Sequence, residues 1–387
     1  AAAGQANARG GTRRPWTVGR WRSRVRGLPE VMGELPVATL ADEILTPGDG
    51  QVRALVTVCG NPCLSTPNAG RLAEALAGLD LMVSLDVYLN ETSRHADVIL
   101  PGPTPLERPH YDVALYQLAV RNVANWTPAA LAAPVPQEWE TLLRLTGIAA
   151  GLGPSADLSA LDGIVAAEAA RRAGVDVSLA AGRTGPERII DLLLRGGPYD
   201  LTLADLEAAP HGVDLGPLAP RLPDVLSTAS GLVELAPAEI VADVPRLVAF
   251  LGEAVDDRLV LIGRRQLGSN NSWMHNLEPL VRGRNRCTAQ MHPADAARLG
   301  LVDGAPAVVR SRAGKVEIPV EVTDAIRPGV VSIPHGWGHD VAGTRATVAS
   351  AHPGVNTNLL ADDTLLDALS GTAVLNGIPV EVEPVQG

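Results

Sequence analysis

Apolar runs alternate with polar loops between residues 52 and 100, and this pattern predicts an α/β sheet. The predicted strands are Val52–Val58, Leu81–Leu85 and Val98–Leu100. The first is rich in apolar residues, as is typical of a strand buried on both faces. Thr66-Pro67 offers a helix N-cap and a first-turn proline, so we expect a helix over residues 67–77 that ends at Gly78. Right-handed crossovers would make the three strands parallel.

Helical spacing dominates the middle of the chain. The predicted helices are Gln137–Ala150, Ala160–Ala173 and Arg188–Leu194. Residues 198–223 are rich in turn-forming residues, and residues 151–250 carry no recognisable motif. We expect this region to complete the α/β domain and to connect it to the last third of the chain.

The last third is rich in β-structure. The predicted strands are Leu259–Ile262, Ala305–Arg312, Lys315–Thr323 and Val330–Pro334. The second and third are joined by an Ala313-Gly314 turn, which indicates a hairpin. Residues 293–299 predict a helix capped by Gly300. Short strands around one helix favour a closed barrel.

Composition excludes several classes of protein. The chain has 387 residues, enough for two or three domains. Its formal net charge of −11 argues against a general nucleic-acid binder. No apolar run reaches about 18 residues, so we expect no membrane span.

Two features of the sequence could be mistaken for functional motifs: a pair of arginines near the N-terminus and the spacing of the cysteines. Arg13-Arg14 resembles part of a twin-arginine export signal, but an arginine-rich segment follows in place of an apolar one. We expect residues 1–30 to form an irregular lead-in, either a solvated linker or an arm against anionic phosphates or another domain. Cys59, Cys63 and Cys287 match neither a zinc nor an iron–sulfur spacing, so we expect reduced structural thiols.

Two blocks of the sequence point to one family. The first is Gly60-Asn61-Pro62, followed about thirty residues later by DVYLNETSRHADVILP. The second runs from LIGRRQLGSNNSWMHN through MHPADAARLG to NTNLL. Both blocks resemble the C-terminal half of the molybdopterin oxidoreductases, the family of the formate dehydrogenases, nitrate reductases and dimethyl sulfoxide reductase. The resemblance covers residues 20–150 and 255–385.

The loops of the first block supply candidate nucleotide contacts, because ligands of open α/β sheets bind beyond the carboxyl ends of the strands. Gly60 permits close backbone approach, Pro62 fixes the turn, and the Asn61 amide can donate and accept. The Asp86 carboxylate could accept paired hydrogen bonds from guanine or from ribose. Further candidates are Thr92, His95 and Asp97. Each also has a structural alternative: a tight turn, a capping carboxylate, a helix N-cap or a packed histidine.

The second block supplies candidate pyrophosphate and pterin contacts. Gly263-Arg264 follows a predicted strand, and a guanidinium fork suits a pyrophosphate. A pterin edge requires neutral donors and acceptors, which the resemblance assigns to Gln266, Asn270, Ser272, His275, Asn276, His335, Asn356 and Asn358. His335 and His339 alone could suggest a metal pair, but no third ligand lies nearby, so we expect no zinc site.

The resemblance implies a domain organisation. Residues 31–250 would form a Rossmann-like guanosine-binding α/β domain with a helical extension. Residues 251–387 would form a double-psi β-barrel that binds molybdopterin dinucleotide. The sequence thus predicts the C-terminal portion of an oxidoreductase that binds bis-(molybdopterin guanine dinucleotide) with Mo or W.

The resemblance also implies partners and a location. The metal ligand and any iron–sulfur cluster would belong to a missing N-terminal half or partner subunit, and the chain alone would be inactive. An electron-transfer partner and a cytoplasmic location are expected.

Two alternatives remain open. A non-catalytic cofactor-binding subunit or carrier would have the same residues. An NAD-dependent dehydrogenase would need a glycine-rich fingerprint, which this sequence lacks after its first strand.

Overall fold

The computed structural model describes residues 18–220, 222–226, 228–252 and 258–385. They divide into two compact units. One covers Pro101–Leu235, and the other combines the described residues up to Leu100 with those from Ala236 onward. The Arg13-Arg14 prediction and most of the expected lead-in lie outside the described residues. The domain boundaries expected at residues 250 and 251 stay a prediction.

The N-terminal part of the second unit holds a parallel sheet. Its elements are β1 Val18–Arg22, β2 Pro29–Val31, α1 Leu40–Leu45, β3 Ala54–Val58, α2 Pro62–Ser65, α3 Ala69–Ala77, β4 Leu81–Leu85 and β5 Val98–Ile99. Within residues 18–100, β3, β4 and β5 pair in that order and are all parallel, as predicted. β1 and β2 form a separate antiparallel pair.

Strand β3 is less buried than predicted. Val56 and Val58 are 51% and 48% exposed, and Leu55 and Thr57 are half-buried. The apolar side chains of α1 and α3 pack on the face that carries Leu55. The prediction of burial on both faces was wrong. Apolar side chains allow a strand to be buried, but whether each face is buried depends on the elements that pack against it.

The helix after β3 also begins differently. Thr66 ends the short helix α2, because its backbone N–H and its hydroxyl both donate to Pro62 O, at 3.0 and 2.9 Å. Asn68 is the N-cap of α3, with φ of 51° and its side chain accepting from the Arg71 amide. The prediction that Thr66-Pro67 begins this helix was therefore wrong, while its end at Gly78 is confirmed.

The unit Pro101–Leu235 is mainly helical. Its elements are β6 Arg121–Ala124, α4 Glu138–Ala149, α5 Leu158–Ala173, α6 Gly185–Arg195, α7 Leu203–Glu207 and β7 Val213–Pro217. The three predicted helices are confirmed, and Gln137 and Glu140 form a capping box at the start of α4. Trp126, Leu203 and Leu206 are central to its core.

The C-terminal part of the second unit is a closed barrel. Its elements are α8 Ala238–Ala242, α9 Val244–Gly252, β8 Leu259–Arg264, α10 Glu278–Val281, β9 Ala289–Met291, α11 Pro293–Leu299, β10 Pro306–Arg310, β11 Lys315–Val322, β12 Val330–Pro334, α12 Thr347–Ala351 and β13 Ile378–Pro384. Among residues 258–385 the barrel order is β10-β11-β9-β12-β8-β13, and β13 pairs back to β10.

The barrel mixes strand directions. β11–β9 and β12–β8 are parallel, and the other pairs are antiparallel. Met291, Ile318, Ile333 and Val380 lie in its continuous apolar core. The predicted closed barrel is confirmed, as is the helix that ends at Gly300. In the part of the chain that the structure describes, no helix is long and apolar enough to span a membrane.

Candidate functional site

The main cavity of the second unit lies between the loop after β3 and one side of the barrel. Its volume is about 470 Å³, which is within the range of small-molecule sites. Its lining residues are Cys59, Gly60, Asn61, Ser65, Leu261, Gly263, Arg265, Asn271, Ser272, Trp273, His335, Thr357, Asn358, Ala361, Leu375, Asn376 and Ile378. Six of the predicted contacts are therefore brought together here: Gly60, Asn61, Gly263, Ser272, His335 and Asn358.

The polar lining of the main cavity is neutral or cationic. Amides and hydroxyls provide most of it, Arg265 adds a positive charge, and the lining set contains no Asp or Glu. The whole chain has a net charge of −11, so this composition differs from the rest of the molecule. Such a lining suits an anionic ligand that also carries hydrogen-bonding edges.

Asn61 is fixed in the cavity wall by two hydrogen bonds. Its Nδ2 donates to Glu91 Oε2 at 2.7 Å, and its Oδ1 accepts from Thr92 Oγ1 at 2.7 Å. Thr92 Oγ1 also accepts from the Cys63 amide at 3.1 Å. Thr92 is therefore a buried residue that supports Asn61, and Asn61 is the residue that lines the cavity.

Two asparagines between β12 and β13 clamp the loop that begins at Asn61. Asn356 Nδ2 donates to Cys63 O at 2.8 Å, and Asn358 Nδ2 donates to Leu64 O at 2.6 Å. Both bonds join segments separated by almost 300 residues. They fix the two walls of the main cavity against each other.

Arg264, the last residue of β8, and Arg265, just after it, direct their guanidinium groups to different places. Arg264 donates to the carbonyls of Ser332 and Thr288, at 2.9 and 3.1 Å, and burial lowers its pKa. Arg265 lines the main cavity and donates to the side chain of Asn271. Sequence reasoning selected Arg264 and missed Arg265, because the strand ends between them and only the fold shows which guanidinium faces the cavity.

Three predicted residues of the sheet lie away from the cavity lining. Asp86 accepts from the Tyr88 amide and from Asn90 Nδ2, at 3.0 and 2.9 Å. Asp97 accepts from the Met82 amide at 2.8 Å. His95 has a buried Nε2 without a hydrogen-bond partner among the described residues, and burial lowers its pKa, with a smaller effect from Arg94. Pro62 occupies the first turn of α2.

The predicted residues of the loop after β8 have different positions. Ser272 lines the main cavity. Gln266 O accepts from the Ser269 amide and hydroxyl, and Asn270 adopts a φ of 40° in the turn. Asn276 Oδ1 accepts from the amides at the start of α12, at 2.9 Å from Val348. The contacts and backbone conformations of Gln266, Asn270 and Asn276 therefore serve the structure of the loop.

A buried chain of titratable side chains lies beside the main cavity. His339 Nδ1 is 2.9 Å from Glu91 Oε1, and His339 Nε2 is 2.5 Å from His275 Nδ1. The exposed fractions of Glu91, His339 and His275 are 4%, 4% and 1%. From the sequence, His339 was considered only as a metal ligand and was rejected, and Glu91 was not selected. Because 248 residues separate these two, no local pattern could have joined them.

The pKa shifts of this chain follow from its burial and hydrogen bonds. Burial alone would raise the pKa of Glu91, but the hydrogen bonds and charge of His339, with the Asn61 bond, bring it below the ordinary value. Burial, together with the neighbouring His339, lowers the pKa of His275 to about 3. At neutral pH Glu91 is therefore ionised and His275 carries a single ring proton.

Two polar atoms at the end of this chain have no partner among the described residues. They are His275 Nε2 and Trp337 Nε1, both buried, and the two rings lie 4.2 Å apart between centroids. An unpartnered buried polar group costs about 1–3 kcal/mol. Trp337 Nε1–H is a donor, and His275 Nε2 donates or accepts according to its tautomer, so the pair is suited to the hydrogen-bonding edge of a planar ring. No cluster of three or more metal-ligating side chains occurs in the described ranges.

Two family models match the sequence. Residues 259–379 match the "Molydopterin dinucleotide binding domain", and residues 3–122 match the "Molybdopterin oxidoreductase" model. The first match covers the barrel from β8 to the start of β13, and the second includes the parallel sheet and its loops. Together they support a molybdopterin guanine dinucleotide cofactor with Mo or W.

Curated relatives agree with these models. The chain is 25% identical to biotin sulfoxide reductase of Cereibacter sphaeroides, over 90% of this chain and 49% of that protein. It is 42% identical to the assimilatory nitrate reductase catalytic subunit of Bacillus subtilis, over 15% of this chain and 8% of that protein. It is 27% identical to the thiosulfate reductase molybdopterin-containing subunit of Salmonella typhimurium, over 87% of this chain and 44% of that protein.

A solved structure has a similar fold. Acetylene hydratase from Pelobacter acetylenicus superposes with a TM-score of 0.64 and 20% identity, over 90% of this chain and 46% of that chain. The chain spans at most about half the length of the relatives named here.

Proposed function

Because this chain belongs to the molybdopterin oxidoreductase family, we propose that its main cavity binds the nucleotide end of molybdopterin guanine dinucleotide. The chain would then provide the cofactor-binding part of an oxidoreductase that carries out two-electron chemistry at Mo or W. The observation that carries this proposal is the lining of the main cavity, where amides, hydroxyls and Arg265 occur without a carboxylate.

The proposal extends to the finer description of the fold. We propose that the sheet around β3 is Rossmann-like and that the barrel is of the double-psi type. The parallel order β3-β4-β5 and the two parallel pairs within an otherwise antiparallel barrel support this. Function would then concentrate in the loops that follow β3 and β8.

We assign the pyrophosphate to Arg265 and the peptide groups near Gly60. Arg265 has its guanidinium in the cavity wall, whereas the donors of Arg264 are directed to carbonyl groups. Asn61, Ser272 and Asn358 would supply neutral hydrogen bonds to ribose or base.

Asp86 remains our candidate for the guanine edge, and the base would then extend beyond the lining of the main cavity to reach it. Each of its carboxylate oxygens accepts one hydrogen bond within its own loop. A carboxylate has about four acceptor sites, so each oxygen can accept a second bond from the paired donors of guanine.

The buried pair of His275 and Trp337 is proposed to face the pterin. The bound metal cofactor would supply the redox chemistry, and this chain would position it and exclude water. The metal ligand and the substrate site would belong to another part of the enzyme, in keeping with the fraction of its relatives that this chain spans.

Calorimetric titration of the full chain with guanosine diphosphate tests the nucleotide site. Guanosine diphosphate should bind more tightly than adenosine diphosphate. Arg265→Gln should weaken binding about tenfold, equivalent to about 1.4 kcal/mol for one charge-assisted contact. The matched control is Arg310→Gln on strand β10, an exposed arginine that pairs with Glu383 away from the cavity.

Equal loss of affinity in both arginine variants would point to a general effect of charge and contradict the assigned site. Metal and nucleotide analysis of the protein from its native host tests the larger claim. Mo or W together with guanine nucleotide is expected, and a preparation that contains neither would overturn the proposed function.

A further inference from the structure

Trp273 lies in the wall of the main cavity with its indole uncovered. The residue is 58% exposed, although a large aromatic side chain gains much from burial. By contrast, Trp126 and Trp337 are both buried. Among the described residues, no other aromatic ring packs against the Trp273 indole. An uncovered flat ring in a concave wall is suited to a flat ligand.

The turn before Trp273 has an uncommon backbone conformation. Asn270 and Asn271 are consecutive and both left-handed, with φ of 40° and 63°. Residues other than glycine rarely adopt this conformation, although asparagine does so more readily than most. The turn is closed by hydrogen bonds from the Trp273 amide to Asn270 O and from the Met274 amide to Ser269 O, at 3.4 and 3.1 Å. Strain of this kind persists only where surrounding contacts hold it.

Gly336, in the loop after β12, supplies such a contact. Its φ is 90°, and a Cβ at this position would overlap the carbonyl oxygen of Asn271. Only glycine therefore allows the two loops to approach this closely. The side chain of Asn271 also accepts a hydrogen bond from Arg265. Asn271 is thus held through both its backbone and its side chain.

The same turn brings a cation and a flat ring to one wall of the cavity. Arg265, Asn271, Ser272 and Trp273 all line it. A guanidinium binds phosphate, and an indole offers an apolar face for stacking. Stacking suits any heterocyclic base, because every base has a π face. A ligand that carries both a phosphate and a fused-ring heterocycle would use both groups.

We propose that Trp273 is a stacking residue, and that the turn at Asn270 and Asn271, held by Gly336, directs its indole toward a fused-ring heterocycle bound in the main cavity. The identity of that heterocycle as guanine rests on the proposed function, and a pterin has the same stacking chemistry. Trp273 would contact the ligand, whereas Gly336 would act through the turn.

Fluorine NMR of the full chain labelled with fluorotryptophan tests the stacking directly. The chain has six tryptophans, and Trp273→Phe identifies the resonance of Trp273. Guanosine diphosphate or neopterin should shift this resonance, because a stacked ring changes the local magnetic field. Inorganic pyrophosphate has no ring and should not shift it. Trp21 is the internal control, since it is 45% exposed on β1 but is not part of the cavity lining.

Calorimetric titration measures the contribution of the indole to affinity. Trp273→Ala should weaken binding of the ring ligand that shifts the resonance by about tenfold, as expected for the loss of one stacked base. Trp273→Phe keeps an aromatic face and should retain most of the affinity. Trp21→Ala should leave the affinity unchanged.

Gly336→Ala tests whether the turn positions Trp273. The added methyl should displace Asn271, change the Trp273 resonance before any ligand is added, and weaken binding. Gly343→Ala is the matched control, because Gly343 has nearly the same φ, 88°, and a Cβ there would meet nothing within 4 Å. Both substitutions carry a similar backbone cost, so equal effects on Trp273 would contradict the role of Gly336. If Gly336→Ala fails to fold, the wild-type titrations and the Trp273 variants still decide the stacking.

A Trp273 resonance that neither ring ligand shifts, or that pyrophosphate shifts equally, would overturn the inference. The outcomes also separate it from the proposed function. If guanosine diphosphate binds through Arg265 while the Trp273 resonance does not respond, the nucleotide site stands and the stacking role fails. If neopterin shifts the resonance while guanosine diphosphate does not bind, the stacking role stands and the nucleotide assignment fails.

Discussion

The barrel and the parallel sheet belong to the same compact unit, yet they bury their strands differently. Four of the five residues of β12 are buried, whereas all five residues of β3 are exposed or half-buried. In the described residues the barrel closes on itself, so each of its strands pairs on both sides, while β3 and β5 each pair on one side. Both regions nevertheless supply residues to the main cavity.

The two regions therefore have different roles: the barrel is a stable wall of the main cavity, and the loop after β3 must be held in position against it. Closure and a continuous core should make the barrel the more stable wall of the cavity. The loop after β3 gains its position from hydrogen bonds to that wall, mainly through Asn356 and Asn358. Substitutions in the two regions should therefore differ in size and in the property that they change.

The largest effect is expected in the barrel core. Ile333→Ala removes a fully buried side chain from β12 and should lower the free energy of unfolding by about 2–5 kcal/mol. Hydrogen exchange with mass spectrometry should show faster exchange across the barrel strands. The control is Ile148→Ala, a partly exposed position on α4 in the other unit. Equal effects would mean that the barrel core is not the stable part.

A smaller effect is expected at the clamp. Asn358→Ala leaves the Leu64 carbonyl without its buried donor, at a cost of about 1–3 kcal/mol. Amide exchange should rise in residues 61–66 more than in the barrel, and guanosine diphosphate affinity should fall. Unchanged exchange in this loop would show that the clamp does not hold it.

A pH-dependent effect is expected at Asp362. Hydrogen bonds from Arg312, with further bonds from Thr364, lower the pKa of this carboxyl from 3.8 to about 2. Its contribution to stability is present above pH 4 and is lost as the pH falls through about 2. Because Arg312 is largely exposed, we expect only about 1 kcal/mol.

Denaturant unfolding of the wild type and Asp362→Asn at pH 6 and pH 2 measures this contribution. The difference between the two proteins should be present at pH 6 and should nearly vanish at pH 2. A constant difference would assign the effect to packing and not to charge.

The smallest effect is expected on the exposed face of the sheet. Val56→Thr exchanges a methyl for a hydroxyl on a half-exposed residue and should change stability by less than about 0.5 kcal/mol. Val331→Thr makes the same exchange at a fully buried residue and should cost about 1–3 kcal/mol. Thermal unfolding of both variants measures the effect of the same substitution in the two regions. Equal shifts in the melting temperature would contradict the difference between the sheet and the barrel.

Much of the fold could be predicted from the sequence. Leu81–Leu85 and Val330–Pro334 have the bounds that their apolar runs indicated, because turn residues flank both. The burial of β3 could not be predicted, since it depends on which helices cover the sheet. The cap at Asn68 was missed because its left-handed backbone conformation gives no periodic pattern.

The candidate site was predicted from the sequence less completely than the fold. Gly60, Asn61 and Ser272 were selected and do line the main cavity. Arg265 was missed in favour of its neighbour Arg264, since the path of the chain at the end of β8 decides which of the two side chains faces the cavity. Glu91 was missed because its partner His339 is 248 residues away.

The order of strands in the barrel has a consequence for biosynthesis. β13, near the end of the described chain, pairs with both β8 and β10 and completes the ring. Leu375, Asn376 and Ile378, at and just before this strand, line the main cavity. A nascent chain leaving the ribosome therefore exposes the unpaired edges of β8 and β10 until β13 emerges, and aggregation or chaperone capture is favoured during that interval. If the main cavity holds the cofactor as proposed, insertion of the cofactor would follow that event.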